Sequence, residues 1–213
     1  MNASLIVIDD FYDDVDSVRK FALEQSFHRY GNYPGGRTKN FFEDDLKNKI
    51  QNILFPFGGK VINWYDNGED SYSGSFQLTT SQHKSWVHTD TRANWGGVLY
   101  LTPNAVPSGG TGFFRSKIDC SLTETPNFLD CVNKEIINSR YKAMQLGDFD
   151  SGLEDPNKIW YDLDKWEKLT EVSNVYNRLI LFRSNQWHSS LEYFGENANN
   201  GRLTQVFFIK TEH

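Results

Sequence analysis

Three short runs decide the fold: Ser73-Gly74-Ser75-Phe76-Gln77-Leu78-Thr79-Thr80, Gly97-Val98-Leu99-Tyr100-Leu101-Thr102 and Thr111-Gly112-Phe113-Phe114. Each is rich in β-branched and aromatic residues, and turn residues such as Pro103-Asn104 and Gly109-Gly110 separate the second from the third. The same texture extends both ways, through Lys60–Tyr65 before them and Leu169–Asn174, Arg178–Arg183 and Arg202–Lys210 after. Many short strands broken by turns predict an all-β sandwich or barrel.

Farther out the pattern changes. Leu5–Ile8 is a short strand candidate. Asp13–Phe27 reads as a helix, with acidic residues at its start and Val15, Val18 and Ala22 on one face. His28–Lys39 reads as a polar, glycine-rich turn region around Tyr33-Pro34-Gly35-Gly36. Glu43–Leu54 predicts a second helix, with Leu46, Ile50, Ile53 and Leu54 on one side. A further helix is expected at Pro126–Tyr141, capped by Thr125, with Phe128, Leu129, Val132 and Ile136 as its stripe. With no linker or repeat, the chain reads as one domain, 1–213, with a helical insertion at about 116–174.

Composition narrows the function. Aromatics make up 15% of 213 residues, which excludes a disordered chain. No apolar run reaches the roughly 18 residues of a membrane span. The opening Met1–Asp10 lacks the basic start of a secretory leader, so a cytoplasmic location is expected. A net charge of −6 argues against nucleic acid or anionic lipid as partner, and disfavours acidic substrates. Two cysteines, Cys120 and Cys131, make neither a disulfide framework nor a cysteine-rich zinc site.

The chemistry gathers on few residues. In a strand, His88 and Asp90 project to the same side, an imidazole and a carboxylate able to share one metal. His188, beyond the apolar run Leu179–Phe182, supplies a third ligand. Two histidines and one carboxylate form the facial triad of non-heme Fe(II) oxygenases, which leaves coordination positions open. Taken singly, each histidine reads first as a hydrogen-bonded or surface imidazole, and only the set points to a metal. Arg202 and Thr204 share a face of the last strand. An arginine directed inward needs an anion, and its fork fits a carboxylate; the alternative is a strand-end arginine in solvent or paired with a local acid.

This ordered set resembles the 2-oxoglutarate/Fe(II)-dependent dioxygenase superfamily, in its prolyl-4-hydroxylase-like branch. Gly97–Pro103 is similar to the family strand after His-x-Asp, whose tyrosine, here Tyr100, lines the 2-oxoglutarate pocket. Gly109–Phe114 resembles the family's Gly-Gly turn, Asn177–Phe182 its strand leading to the distal histidine, and Ile6–Tyr12 its opening strand-to-helix. The match covers most of Leu5–Lys210.

The resemblance implies a double-stranded β-helix (a jelly roll, cupin-like), mainly β, with the N-terminal helices packed on the sheet. It implies Fe(II) on His88, Asp90 and His188, 2-oxoglutarate held by Arg202, Thr204 and Tyr100, and O2 as oxidant, with ascorbate a candidate reductant. The implied reaction couples decarboxylation of 2-oxoglutarate, to succinate and CO2, with hydroxylation of a small-molecule or peptide substrate. No side-chain acid or base beyond the iron ligands is required. Trp86, Arg92 and Asn94 are the expected substrate contacts, Trp95 reads as packing, and Tyr33, Arg37 and Lys39 lie in a loop able to reach the same mouth. Departures are the long stretch Ser116–Asn174 and the wide gap between His188 and Arg202. The competing reading is a non-enzymatic jelly-roll module whose triad holds Zn2+ or nothing. A metal hydrolase or cupin-like isomerase would need an additional base near the metal.

Overall fold

The computed structural model describes residues 3–31, 33–67, 71–125, 128, 130–131 and 162–212. It is mainly β, with two antiparallel sheets. The N-terminal portion runs β1 (Leu5–Ile8), α1 (Val15–Leu23), β2 (Arg29–Gly31), β3 (Tyr33–Asn40), α2 (Asp44–Gly58) and β4 (Lys60–Asn63). Then follow β5 (Ser75–Thr79), β6 (Trp95–Tyr100), β7 (Thr111–Ser116), β8 (Trp166–Val172), β9 (Leu179–Arg183), β10 (His188–Ser190) and β11 (Arg202–Glu212). The large sheet has the order β1-β9-β6-β11-β5-β3-β2, with β4 paired to the far end of β11; the small sheet has the order β10-β7-β8. Among the described residues no helix is long and apolar enough to cross a membrane.

The two helices form where the sequence places them. Asp14 caps α1 by accepting a hydrogen bond from the Ser17 backbone N–H at 3.1 Å. Their apolar faces cover one side of the large sheet. Ala22, Ile50 and Leu54 join Trp95, Leu99, Leu181, Leu203 and Phe207 in a single buried cluster. Each large side chain buried there contributes about 1.5–3 kcal/mol. Trp95 is therefore core, as its sequence context suggests. A second cluster of Val87, Phe114, Phe128, Trp166 and Trp187 lies under the small sheet.

Two expectations need correction. His28–Lys39 is not a turn region: it contains β2 and the eight-residue β3, which pairs with β5. Gly35 permits this, because its φ is +72° and an added Cβ would lie 2.1 Å from the Leu78 carbonyl oxygen. His88 and Asp90 do not lie in a strand either. They occupy an extended segment tied to β10 by one isolated bridge. The helix expected at Pro126–Tyr141 falls mostly outside the described residues, although 128, 130 and 131 are helical. The C-terminal part of the long stretch after Ser116 is β8, which pairs with β7 along its length.

Candidate metal centre

Between the sheets lies a cavity of about 570 Å3. The segment before β6, together with β10, brings His88, Asp90 and His188 to it, with one donor atom of each within 4.8 Å of the others. The residues 100 positions apart are joined through the backbone. His88 N–H donates to the His188 carbonyl at 3.0 Å, and His188 N–H donates back at 2.9 Å. Their rings lie 4.4 Å apart, centroid to centroid.

Both imidazoles are oriented by the same local device. Nδ1–H of His88 donates to the Trp86 carbonyl at 3.0 Å, and Nδ1–H of His188 donates to the Gln186 carbonyl at 2.8 Å, each two residues upstream. The carbonyls can only accept, so Nδ1 carries the proton and Nε2 is left with its lone pair. This is the outer-shell arrangement found around metal-ligating histidines. Nε2 of His188 lies 3.4 Å from an Asp90 carboxylate oxygen.

Electrostatics agree. Burial first, then the neighbouring His188, push the His88 pKa down to about 4, so it is neutral and available as a ligand at pH 7. Burial acts to raise Asp90, but its contact with His188 and the charges around it hold the carboxyl below the usual range. The donor set of two imidazoles and a carboxylate suits a divalent first-row metal.

The opposite wall is built by β11. Arg202 is only 3% exposed, and its Nε–H donates to the Gly109 carbonyl at 2.9 Å. Its Nη2 and the Thr204 Oγ1 are buried with no hydrogen-bond partner. The Tyr100 ring lies beneath the guanidinium, 5.5 Å to the centroid, and its hydroxyl pairs with Thr111 Oγ1 at 2.8 Å. The Gly-Gly turn sets this geometry: a Cβ on Gly110 would meet the Val172 carbonyl oxygen at 1.9 Å, so only glycine lets the Gly109 carbonyl reach Arg202.

The remaining expected contacts divide. Trp86 and Arg92 line the cavity, with Arg92 exposed at its rim. Asn94 does not line it. Asn94 Nδ2 donates to the Thr211 carbonyl and its Oδ1 accepts from the Thr211 N–H, both at 2.9 Å, so it fastens the end of β11. Sequence proximity to Asp90 suggested a substrate role, but the chain has already turned toward the sheet. Asn94→Ala should lose about 1–3 kcal/mol of stability in urea denaturation, with metal affinity unchanged. A loss of metal affinity at constant stability would count against this placement.

Arg37 was underrated by the sequence. It lies not in a loop but on β3, buried and facing the cavity.

The model of the Family of unknown function (DUF6445) matches residues 1–209. No curated protein sequence matches the chain. Among solved structures, HygX from Streptomyces hygroscopicus, with nickel and 2-oxoglutarate bound, is similar at a TM-score of 0.60 and 10% identity, covering 99% of this chain and 84% of that one. The non-heme alpha ketoglutarate dependent carbocyclase SnoK from nogalamycin biosynthesis gives 0.53 and 12%, over 97% of this chain and 80% of that one. A prolyl hydroxylase from Trichoplax adhaerens, in complex with a hypoxia inducible factor peptide fragment, gives 0.50 and 12%, over 98% and 84%. At such identities the likeness is one of fold.

Proposed function

For this chain, which belongs to the DUF6445 family, we propose the activity of a non-heme Fe(II) oxygenase that couples oxidative decarboxylation of 2-oxoglutarate with hydroxylation of a small molecule or peptide. The carrying observation is the buried, unpartnered pair of Arg202 Nη2 and Thr204 Oγ1, on the wall of the cavity that also holds His88, Asp90 and His188. A buried guanidinium facing an unfilled polar site is costly until an anion occupies it. The far carboxylate of 2-oxoglutarate supplies that anion. A non-enzymatic metal module gives no use to this pair.

The residues fit both groups. His88 Nε2, Asp90 and His188 Nε2 would hold Fe(II), with their orientation fixed by the carbonyls of Trp86 and Gln186. Arg202 would clamp the cosubstrate carboxylate, Thr204 would donate its hydroxyl hydrogen, and Tyr100 would floor the site. Bound Fe(II) and 2-oxoglutarate together supply the activation of O2 that the protein's own side chains cannot perform. Trp86, which lines the cavity, would shield the reacting centre from water on one side. In this reading the two sheets form a jelly roll, and the chain works as a single oxygenase-like domain. HygX has also been solved with hygromycin B, and the Trichoplax enzyme with a peptide; a small-molecule or peptide substrate is proposed here by that analogy of fold.

The test is an anaerobic titration of the Fe(II)-loaded protein with 2-oxoglutarate, following the weak charge-transfer absorption of the chelate. A saturating band is expected, with succinate formed once O2 is admitted. Bound iron with neither band nor succinate would sink the reading.

A further inference from the structure

A second buried guanidinium faces the cavity, and neither the metal nor the cosubstrate uses it. We propose that Arg37 anchors a carboxylate of the substrate, so that the pocket takes an organic anion; this rests on the oxygenase reading for the identity of that ligand as substrate.

Arg37 spends Nε–H and one Nη2–H on a single neutral acceptor, Gln77 Oε1, at 3.1 and 3.0 Å. Gln77 is itself fixed, because its Nε2 donates to the Pro34 carbonyl at 2.7 Å. The Tyr33 ring lies 3.8 Å from the guanidinium carbon, and Tyr72 lies 5.2 Å away, centroid distances that fix its plane. Among the described residues Arg37 has no carboxylate in ion-pair range, and its Nη1 has no hydrogen-bond partner. The edge formed by Nη1 and the outer Nη2–H is the one that takes both oxygens of a carboxylate.

The charge of the cavity points the same way. Among the described residues its lining holds Arg37, Arg92 and Arg202 against one acid, Asp90, which leaves +2 with the histidines neutral. A divalent metal and a dianionic cosubstrate cancel each other, so the +2 persists when both are bound. The chain as a whole carries −6, so the cavity inverts the sign that its composition suggests for a substrate. Arg37 lines the same cavity as His88, Asp90 and His188, so a ligand held by it shares that cavity with the metal site. Burial lowers the Arg37 pKa to about 10, which keeps it cationic at neutral pH.

The test uses the full chain loaded with Zn(II) and probed calorimetrically with phenylacetate and its neutral isostere phenylacetamide, with and without saturating 2-oxoglutarate. Phenylacetate should bind with 2-oxoglutarate present, about 10- to 100-fold more tightly than the amide. Arg37→Gln should erase that preference. So should Gln77→Glu, which keeps Arg37 in place but gives it an internal carboxylate, and which carries the test if Arg37→Gln does not fold. Arg37→Gln should leave 2-oxoglutarate affinity within about threefold, since the Arg37 hydrogen bonds go to Gln77 and not to Arg202 or Thr204; Gln77 stands opposite Thr204 in the β5–β11 pair, so Gln77→Glu is judged by the acid-over-amide preference alone. Equal binding of acid and amide, or binding of neither, overturns the proposal. So does a preference that survives both variants and vanishes in Arg202→Ala, which would place the anion at the cosubstrate site. If 2-oxoglutarate fails to bind while phenylacetate still depends on Arg37, the oxygenase reading fails and the anion anchor stands.

Discussion

Arg202→Ala is expected to fold as the native chain does and to bind 2-oxoglutarate about 30-fold more weakly or worse, from a loss of about 2–5 kcal/mol. The cost falls on binding because of how the guanidinium is held. One N–H is satisfied by the Gly109 carbonyl, while Nη2 is buried and unpartnered. Truncation therefore removes the cation that a bound carboxylate needs, while the Gly109 carbonyl keeps the bond it accepts from Asn174 Nδ2. Calorimetry on the metal-loaded variant, with circular dichroism as the check on fold, measures the effect. A change under about threefold would mean that the carboxylate is not held there.

Divalent metal at about a thousand times its dissociation constant should stabilise the chain by about 4 kcal/mol. For a chain of this size that raises Tm by roughly 8–16 °C. Asp90→Ala should abolish most of the rise while the metal-free protein melts close to the native value, because Asp90 is only half-buried and belongs to no apolar cluster. Melting curves with Fe(II) or Mn(II), against the same samples with chelator, show the difference. A full rise in Asp90→Ala would remove the carboxylate from the ligand set.

Much of this was legible in the primary structure, for reasons that differ by element. The strands with uninterrupted apolar runs, such as Leu179–Phe182, announced themselves because both faces are buried. The triad was legible because its three residue types carry the chemistry wherever the backbone goes, and the structure brings them together. β3 was not, because Pro34-Gly35-Gly36 lacks the side chains that signal a strand. Those glycines are there for closeness: Cβ atoms at 35 and 36 would strike the Leu78 and Phe27 carbonyl oxygens. Losing β3 also hid Arg37, whose burial depends on partners more than 30 positions away. Asn94 failed in the opposite direction. Four residues beyond a ligand is near in sequence, yet one turn of backbone commits it to Thr211. The Gly109 carbonyl has no side chain to read and emerges only from the turn that carries it.

The paired backbone bonds between His88 and His188 bear on the timing of metallation. The bridge and the two upstream carbonyls are satisfied by protein groups alone, so the ligands hold their spacing and tautomer before any ion arrives. The backbone that carries the three side chains is thus held by the protein itself, and a metal bound there would have no strand pairing to create.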